Sequence, residues 1–348
     1  MVKDVVFAVP GDLATPTGGY TYDRRIIAEL PALGWRAQVL DLGAGFPRPT
    51  PEIRAAACTK LAALPSHGPV VVDGLALGVL PDAAEALHAN HPLVALVHHP
   101  LALEAGLSAD EAVALRQSER AALACARRVI ATSTTTARLL AADYGVAPDR
   151  LAVVEPGTDL ADVQPRESGQ VVALLSVGAV VPRKGYDVLV AALARLEHMP
   201  WRLVIAGDCA RSPETVLGLE ADIARFGLAD RVTLLGAVAA RRLAELYASA
   251  DLFVLASRFE GYGMAYTEAL AHGVPVVGTT AGAIPETVPA GAGLLVPPDD
   301  VDALAAALRR LIERPDARRE LAAGARALTF PSWREQAALF VRALDDFA

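Results

Sequence analysis

The sequence is poor in aromatic residues and in cysteine. Aromatic side chains make up 5% of a chain that is 53% apolar, and the dominance of alanine, leucine and valine suits helices packed on buried parallel strands. Cys58, Cys125 and Cys209 are an odd number of widely spaced cysteines with no CxxC pair. We therefore expect reduced thiols in a cytoplasmic protein, without a disulfide framework or a zinc cluster.

The sequence also lacks an excess of positive charge. The formal net charge is −8, and residues 1–165 carry 13 basic and 18 acidic side chains. Nucleic acids and anionic membranes bind clustered positive charge, so we expect no nucleic-acid partner and no stable membrane binding. No uncharged run approaches the roughly 18–20 residues that span a bilayer, and the apolar stretch of "MVKDVVFAVPGD" is too short for a signal peptide.

What the sequence does contain is an alternation of short β-branched runs and longer alanine- and leucine-rich stretches. The runs that predict strands are "DVVFAVP", "RAQVLDL", "PVVVDGL", "LVALVHH", "RVIATS" and "LAVVEPG" in the first half, and "VVALLSVGAV", "RLVIAGD", "RVTLLGAV", "DLFVLAS", "PVVGTT" and "GLLVPP" in the second. Helical spacing appears between them, as in "TYDRRIIAELPAL" and "ADEAVALRQSERAALACA". This βαβ rhythm predicts parallel sheets with helices on both faces.

The rhythm stops at a polar, turn-rich segment, residues 157–170, and then starts again. We interpret this segment as a linker between two α/β domains, each Rossmann-like and doubly wound, over residues 1–165 and 166–330. Residues 331–348 are predicted to form a terminal helix that packs back towards the first domain. Ligands of such sheets bind at the carboxyl ends of the strands, so a cleft faced by both domains is the expected site.

The segment "SRFEGYGMAYTEAL", residues 257–270, places two carboxylates around a pair of glycines. Gly261 and Gly263 let the backbone approach a ligand, and the first amides of the following helix suit a phosphate. Glu260 and Glu268 would repel that phosphate, so we expect them to bind hydroxyl groups on either side of it. A nucleotide sugar has hydroxyls at both ends and a diphosphate between them. The alternative is an ordinary surface helix with acids in its first turns.

A second segment, "VGAVVPRKGYDVLVAAL", carries two adjacent cations after a predicted strand. Arg183 and Lys184 can hold a diphosphate and neutralise the charge on a leaving nucleotide. The alternative is a solvated basic turn. Because the sequence has no GxxxxGK[ST] pattern, a P-loop nucleotide hydrolase is disfavoured.

Together, "GAVVPRKGYDVL" and "EGYGMAYTEALAHGVPVVGT" resemble the paired segments of the retaining glycosyltransferases with the GT-B fold, in the large fourth sequence family of those enzymes. The resemblance covers essentially the whole chain and is strongest over residues 171–300. It implies transfer of a hexosyl group from a UDP- or GDP-sugar to an acceptor hydroxyl, with retention of configuration, no cofactor and no bound metal ion. The acceptor is not indicated.

The resemblance also implies roles for individual residues. Arg183 and Lys184 would bind the diphosphate, Glu268 the ribose and Glu260 the hydroxyls of the donor sugar. The other donor-binding positions that it implies are Gly18, Gly19, Gly178, Gly207, Asp208, Val238, Gly261, Tyr262, Gly263, Met264 and Ala265.

One position departs from the family pattern. Many relatives have "GDGP" where this chain has "GDCARSPE". Two roles are therefore open for Asp208: a contact with the nucleotide, or a simple cap of the turn.

Relatives also place a histidine at the end of the strand "LVALVHH", against the donor sugar. His98 ends the strand and His99 precedes the turn, and their rings should point to opposite sides of the sheet. We favour His98 as the catalytic-site residue with Arg183, Lys184 and Glu260, and a structural histidine pair is the alternative.

Other functions remain open at this stage. A nucleotide-sugar epimerase can share the two-domain fold, and a non-catalytic nucleotide-sugar-binding protein could keep it as well. A phosphorylase-like enzyme would need a much longer chain.

Overall fold

The computed structural model describes residues 2–65, 68–161 and 169–345. It divides into two compact units, the first formed by residues 1–157 with 331–348 and the second by residues 158–330. Half of the predicted linker, residues 162–168, lies outside the described residues, and so does the predicted boundary at residues 165 and 166.

The first unit is built on a parallel six-stranded sheet with the strand order β2-β1-β3-β4-β5-β6. Its strands are β1 (Lys3–Val9), β2 (Trp35–Asp41), β3 (Val70–Asp73), β4 (Leu93–Val97), β5 (Arg128–Ala131) and β6 (Leu151–Val153). The chain first extends the sheet to one side of β1 and then to the other, so the connections leaving β1 and β3 diverge. Such a switch point opens a crevice at the carboxyl ends of the two strands.

Helices flank this sheet. They are α1 (Gly18–Glu29), α2 (Pro51–Ala62), α3 (Gly74–Leu77), α4 (Pro81–His88), α5 (Ala109–Cys125) and α6 (Thr134–Tyr144). The helical spacing of residues 21–33 is only partly an α-helix: α1 ends at Glu29 and a 3₁₀ turn follows over Leu30–Leu33. Pro31 accounts for this, because proline has no N–H to continue the helical hydrogen bonds.

The second unit repeats the plan with the strand order β12-β11-β10-β7-β8-β9. Its strands are β7 (Val172–Val177), β8 (Trp201–Ala206), β9 (Val232–Leu234), β10 (Leu252–Val254), β11 (Val276–Thr279) and β12 (Gly293–Val296). Its helices are α7 (Tyr186–Ala194), α8 (Pro213–Arg225), α9 (Ala240–Ser249), α10 (Met264–Ala271), α11 (Ile284–Thr287), α12 (Val301–Glu313) and α13 (Pro315–Arg326). Here the switch point lies between β7 and β10.

The last helix, α14 (Trp333–Asp345), belongs to the first unit. Its buried face packs on the sheet and on α1: the Phe340 ring stacks on Phe7 at 5.6 Å, and Trp333 meets the edge of Tyr22 at 6.0 Å. The chain therefore returns to the first unit after completing the second.

Each of the twelve predicted strand segments contains a strand, and the predicted α/β class with two doubly wound units is confirmed. The central strands are apolar on both faces; all five residues of β4, for example, are buried. This is why they appear in the sequence as continuous apolar runs. Within the described residues, no helix is both long and apolar enough to cross a membrane.

Candidate functional site

Two of the predicted segments of the second unit meet at its switch point. Arg183 and Lys184 follow β7, and Glu260 follows β10, which is the neighbouring strand in the sheet although it is remote in sequence. A backbone hydrogen bond of 2.8 Å from the N–H of Arg258 to the carbonyl of Arg183 ties the two loops together. The fold therefore brings both quoted segments to one edge of the sheet.

Glu260 is the centre of this arrangement. It is buried, and its Oε1 accepts hydrogen bonds of 2.6 Å from Lys184 Nζ and 2.6 Å from Ser257 Oγ, while Oε2 accepts one of 3.1 Å from Arg183 Nη1. Burial opposes ionisation, but Lys184 and Arg183 outweigh it and lower the pKa of Glu260 to about 2. The carboxylate is ionised at neutral pH, and it fixes both cations in the site.

Two glycines let the cationic loop lie this close to the sheet. Gly185 has a φ of 64°, and a Cβ there would come within 2.0 Å of the carbonyl oxygen of Ala256, just beyond β10. At Gly178 a Cβ would come within 3.1 Å of Lys184 Cε. Glycine at these positions thus allows the Lys184 side chain to run across the end of β7 towards Glu260.

The loop after Glu260 leads into the start of α10. Gly263 precedes the helix with a φ of 98°, and a Cβ there would come within 2.8 Å of the Tyr266 ring. Gly261, Tyr262 and Gly263 are buried, whereas the first helical residues, Met264 and Ala265, are partly exposed. The first amides of a helix have no acceptor within the helix and carry a partial positive charge, so this helix start suits an anionic group.

Glu268 lies one turn into α10 and is held by Tyr247 of α9. Tyr247 Oη donates to Glu268 Oε2 at 2.8 Å and to the carbonyl of Ala265 at 3.3 Å. The Tyr247 ring stacks on His272 with a centroid distance of 5.0 Å. Burial raises the pKa of Glu268 to about 7, although the bond from Tyr247 and the charge of Lys184 act in the opposite direction. Glu268 therefore changes its charge near neutral pH.

The remaining predicted positions of the second unit, Gly207, Asp208 and Val238, follow the neighbouring strands β8 and β9. A Cβ on Gly207 would lie 1.8 Å from the carbonyl oxygen of Gly178, so glycine is needed where the ends of β7 and β8 meet. The Asp208 carboxylate accepts the N–H of Ala210 at 2.7 Å, which is the turn-cap arrangement. Val238 lies between β9 and α9, partly buried against the core. These three positions are not hydrogen-bonded to the Glu260 cluster.

In the first unit, the structure brings together the two predicted elements near β1 and β4. Gly18 and Gly19 open α1, and a Cβ on Gly19 would come within 3.1 Å of the His98 ring. His98 also meets the edge of the Tyr22 ring at 5.3 Å. His99 instead lies with its Nε2 3.4 Å from Glu104 Oε2. Of the two histidines, His98 is the one beside the glycine pair.

His98 has two further neighbours that the sequence interpretation missed. Its Nε2 lies 3.3 Å from Asp23 Oδ1 and 3.7 Å from Asp73 Oδ2, and both aspartates are buried. Ligand atoms of these three residues all lie within 4.8 Å of one another, a grouping that could also hold a metal ion. Independence from metal therefore stays a prediction. The signals for these acids were an aspartate ending the apolar run "PVVVD" and one on α1 four residues after Gly19.

Comparisons with known proteins relate this chain to glycosyltransferases. Residues 161–328 match the family model described as glycosyl transferases group 1, and residues 18–162 match the one described as glycosyltransferase family 4. The chain is 33% identical to an MMP α-(1→4)-mannosyltransferase of Mycolicibacterium hassiacum over 317 residues, which is 85% of this chain and 74% of that protein.

Among solved structures, the fold is similar to a sucrose-phosphate synthase from Thermosynechococcus elongatus, with a TM-score of 0.84, 22% identity and 99% of both chains covered. It is also similar to Anabaena Alr3699/HepE in complex with UDP-glucose, with a TM-score of 0.77 and 21% identity over 98% of this chain and 100% of that one. At these identities the structures support the fold alone. The two family models and the mannosyltransferase show that this chain belongs to the group 1 glycosyltransferases.

Proposed function

We propose that this glycosyltransferase moves a hexosyl group from a nucleotide diphosphate sugar to an acceptor hydroxyl, with retention of configuration and without a metal ion. The observation that carries the proposal is the buried contact of Glu260 with both Arg183 and Lys184 at the switch point of the second unit. Two cations fixed by a carboxylate, together with the helix start that follows that carboxylate in the chain, suit an anionic group such as a diphosphate.

The charge balance of this cluster favours an anionic ligand. Arg183 and Lys184 bring two positive charges and Glu260 removes one, so the cluster alone carries one net positive charge. The partial positive charge of the α10 start adds to it. A diphosphate diester would bring two negative charges to this edge, and the cluster together with the α10 start would offset the larger part of them.

The two carboxylates would recognise the ends of the donor. Three donors occupy Glu260, whereas a carboxylate has about four acceptor positions, so one position can accept a hydroxyl of the donor sugar. Glu268 lies one turn into α10, where its carboxylate can accept the two ribose hydroxyls. Tyr247 would hold Glu268 in the orientation that this requires.

The transfer would proceed on one face of the sugar. The acceptor oxygen bonds to the anomeric carbon as the bond from that carbon to the phosphate oxygen breaks, and the acceptor proton passes to the leaving phosphate. Arg183 and Lys184 would stabilise the charge that grows on the leaving diphosphate, because both are held in place before the reaction starts. Attack and departure on the same face retain the configuration.

UDP and GDP are both open as the nucleotide of the donor. Alr3699/HepE is a protein seen with UDP-glucose, and the M. hassiacum relative is named a mannosyltransferase. We therefore take UDP-glucose and GDP-mannose as the first donors to test, and the acceptor as an alcohol of unknown identity.

The experiment is a thermal-shift panel of nucleotide sugars, followed by NMR of the anomeric configuration of any product. A donor at 100 times its Kd should stabilise the protein by about 2.7 kcal/mol. Arg183→Ala with Lys184→Ala should abolish the shift. The matched control is Arg241→Ala with Arg242→Ala, which removes the same charge from an exposed part of the same unit. This control should leave the thermal shift unchanged.

The alternatives give different products in the same panel. Conversion of the donor to its epimer without an acceptor would identify a nucleotide-sugar epimerase. Tight binding with neither transfer nor hydrolysis, over a panel of alcohol acceptors, would identify a binding protein. An inverted product would contradict the retaining mechanism.

A further inference from the structure

The turn that carries Arg183 and Lys184 is held on its outer side by Arg258, a residue of the loop that follows β10. The backbone N–H of Arg258 donates to the carbonyl of Arg183 at 2.8 Å, and its Nη1 donates to the carbonyl of Pro182 at 2.5 Å. One residue therefore binds two consecutive carbonyl groups of the 3₁₀ turn Pro182–Lys184, which we call the cationic turn.

The guanidinium of Arg258 also reaches two other segments of the second unit. It forms a two-pronged pair with Asp187 on α7, in which Nη2 lies 2.7 Å from Oδ2 and Nη1 lies 3.1 Å from Oδ1. Its Nε donates to Asp299 Oδ1 at 2.7 Å, in the segment between β12 and α12. These contacts use the planar fork of five N–H donors that arginine has and lysine lacks.

Asp299 has a backbone conformation that is unusual for a residue other than glycine. Among the described residues that are not glycine, it alone has a positive φ, of 60°. Aspartate tolerates this left-handed region better than most residues, but the conformation still costs free energy and persists only where the surrounding structure holds it. Here the contact with Arg258 helps to hold it.

The exposure of these side chains argues against a role in folding stability alone. Asp187 and Asp299 are 55% and 58% exposed, and Arg258 is 27% exposed. Ion pairs between exposed groups contribute little to stability, because water screens them and long side chains lose entropy when they are fixed. What the contacts do determine is the position of the backbone from which the Arg183 and Lys184 side chains extend.

The inner side of the cationic turn is held by the two residues that follow Arg258. Arg183 Nη1 donates to the carbonyl of Phe259 at 2.8 Å, and Glu260 accepts from both Arg183 and Lys184. Glu260 thus fixes the ends of the two cationic side chains, whereas Arg258 fixes the backbone at their base. Together these contacts constrain each cation at both ends.

We propose that Arg258 is a positioning residue, which with its partners Asp187 and Asp299 holds the cationic turn in the conformation that receives a diphosphate. This inference rests on the proposed glycosyl transfer. Arg258 acts through the two cations of the turn and makes no contact with the ligand in this role. Cations that are already in place need no reorganisation when the diphosphate binds or when charge grows on it.

The first test measures the Kd of UDP and GDP by isothermal titration calorimetry, at constant pH, in Asp187→Asn and in Asp299→Asn. Each substitution removes a negative charge near an anion site, so charge alone predicts tighter binding. Loss of positioning predicts the opposite, and we expect the Kd to rise about tenfold, equivalent to about 1.4 kcal/mol. Tighter or unchanged binding in both variants would overturn the proposal.

The matched control is Asp316→Asn. Like Asp187, Asp316 is the second residue of a helix of this unit, is paired with an arginine, and is exposed to a similar extent, 59%. Its pair with Arg314 does not include the cationic turn, so the Kd should stay unchanged.

Substitutions of Arg258 itself separate its geometry from its charge. Arg258→Lys keeps the positive charge but loses the fork, so it should weaken UDP and GDP binding in the same way as Arg258→Gln. A Kd in Arg258→Lys equal to that of the unmodified protein would show that only the charge matters, and would overturn the proposal. A lower Tm with an unchanged Kd in both variants would assign Arg258 to folding alone, with the same consequence.

Positioning can also be measured without a nucleotide, by hydrogen–deuterium exchange with mass spectrometry. The N–H groups of Lys184 and Gly185 donate to the carbonyls of Val181 and Pro182 at 3.0 and 3.2 Å. In Asp299→Asn both should exchange about tenfold faster, because the turn opens more often. Unchanged exchange would overturn the proposal. Faster exchange in a protein that binds neither UDP, GDP nor a nucleotide sugar would contradict the proposed function and not the hold on the turn.

Discussion

The titration of Glu268 should make donor affinity depend on pH. Its pKa is raised to about 7 by burial, so a large fraction of the molecules carry a neutral carboxyl group at neutral pH. Binding two ribose hydroxyls requires the ionised form, because a carboxylate accepts from both hydroxyls whereas a protonated carboxyl group has a donor of its own. We therefore predict that the affinity for a nucleotide sugar increases as the pH is raised through 7.

The magnitude follows from the pKa of Glu268, which is about 7. If only the ionised form binds, the apparent Kd is multiplied by 1 + 10^(pKa − pH), and a pKa of about 7 gives roughly tenfold tighter binding at pH 8 than at pH 6, or about 1.4 kcal/mol. The hydrogen bond from Tyr247 stabilises the ionised form. Tyr247→Phe should therefore move the midpoint of the affinity change to higher pH.

The assay is isothermal titration calorimetry with UDP-glucose, or with whichever donor the thermal-shift panel identifies. A nucleotide sugar is preferred to a free nucleotide diphosphate, because its phosphates are both diesters and do not titrate near neutral pH. Glu268→Gln should bind more weakly at pH 8 and lose the pH dependence. Glu220→Gln, which changes an exposed glutamate of the same unit, should keep it.

Two results would refute this reasoning. An affinity that is flat between pH 6 and pH 8 would mean that Glu268 is not the acceptor of the ribose hydroxyls or does not titrate there. An unchanged slope in Glu268→Gln would assign the dependence to another group.

Four other predictions follow from the charges and burial of particular groups. Glu260→Gln should lower the free energy of unfolding by about 3 kcal/mol at pH 7. A folded pKa of about 2 means that the ionised carboxylate contributes stability above pH ~4.5, which is lost towards pH 2. Urea unfolding of the two proteins should show that the difference in their unfolding free energies becomes smaller below pH 4. Burial raises the pKa of Glu119 to about 8, so the folded protein holds a proton that the unfolded chain has released. The free energy of unfolding should therefore fall by about 2–3 kcal/mol from pH 6 to pH 8.5 in the unmodified protein. Glu119→Gln should not show this fall. Activity should survive EDTA, because two cations and a helix start would offset much of the diphosphate charge; loss of activity with rescue by manganese would contradict this. In sedimentation assays the protein should not bind anionic liposomes, given its net negative charge, and binding that disappears at high salt would reveal a local basic patch.

The fold could be predicted from the sequence because its strands are buried on both faces. A run such as "LVALV" is apolar at every position in β4, which distinguishes it from the amphipathic spacing of the helices. No such run specifies the order of the strands in the sheet. It depends on packing between segments that are far apart in the chain, as β7 and β10 are in the second sheet.

The same limit applies to the site. The residue types and spacing predicted Arg183 and Lys184 as anion ligands on one segment, and Glu260 as a carboxylate that binds ligand hydroxyls on another. That all three form one cluster around a buried carboxylate depends on β7 and β10 being neighbours, which local patterns do not specify. Tyr247 and Asp23 were missed for a related reason, since a tyrosine and an aspartate on amphipathic helices look like ordinary helix residues until their partners are known.

The contacts of Glu260 change the interpretation of its role. The sequence assigned it to the donor sugar alone, yet three of its acceptor positions hold Lys184, Arg183 and Ser257. Long cationic side chains lose considerable rotamer entropy when they are fixed, and a carboxylate that fixes them in advance removes that cost from the step in which charge develops on the leaving group. Such a carboxylate must be buried, so that it holds its partners strongly, and must remain ionised, which its pKa of about 2 provides. If its fourth acceptor position binds a hydroxyl of the donor sugar as proposed, it would set the distance between that hydroxyl and the cations that would receive the diphosphate. One side chain would then align both ends of the bond that breaks.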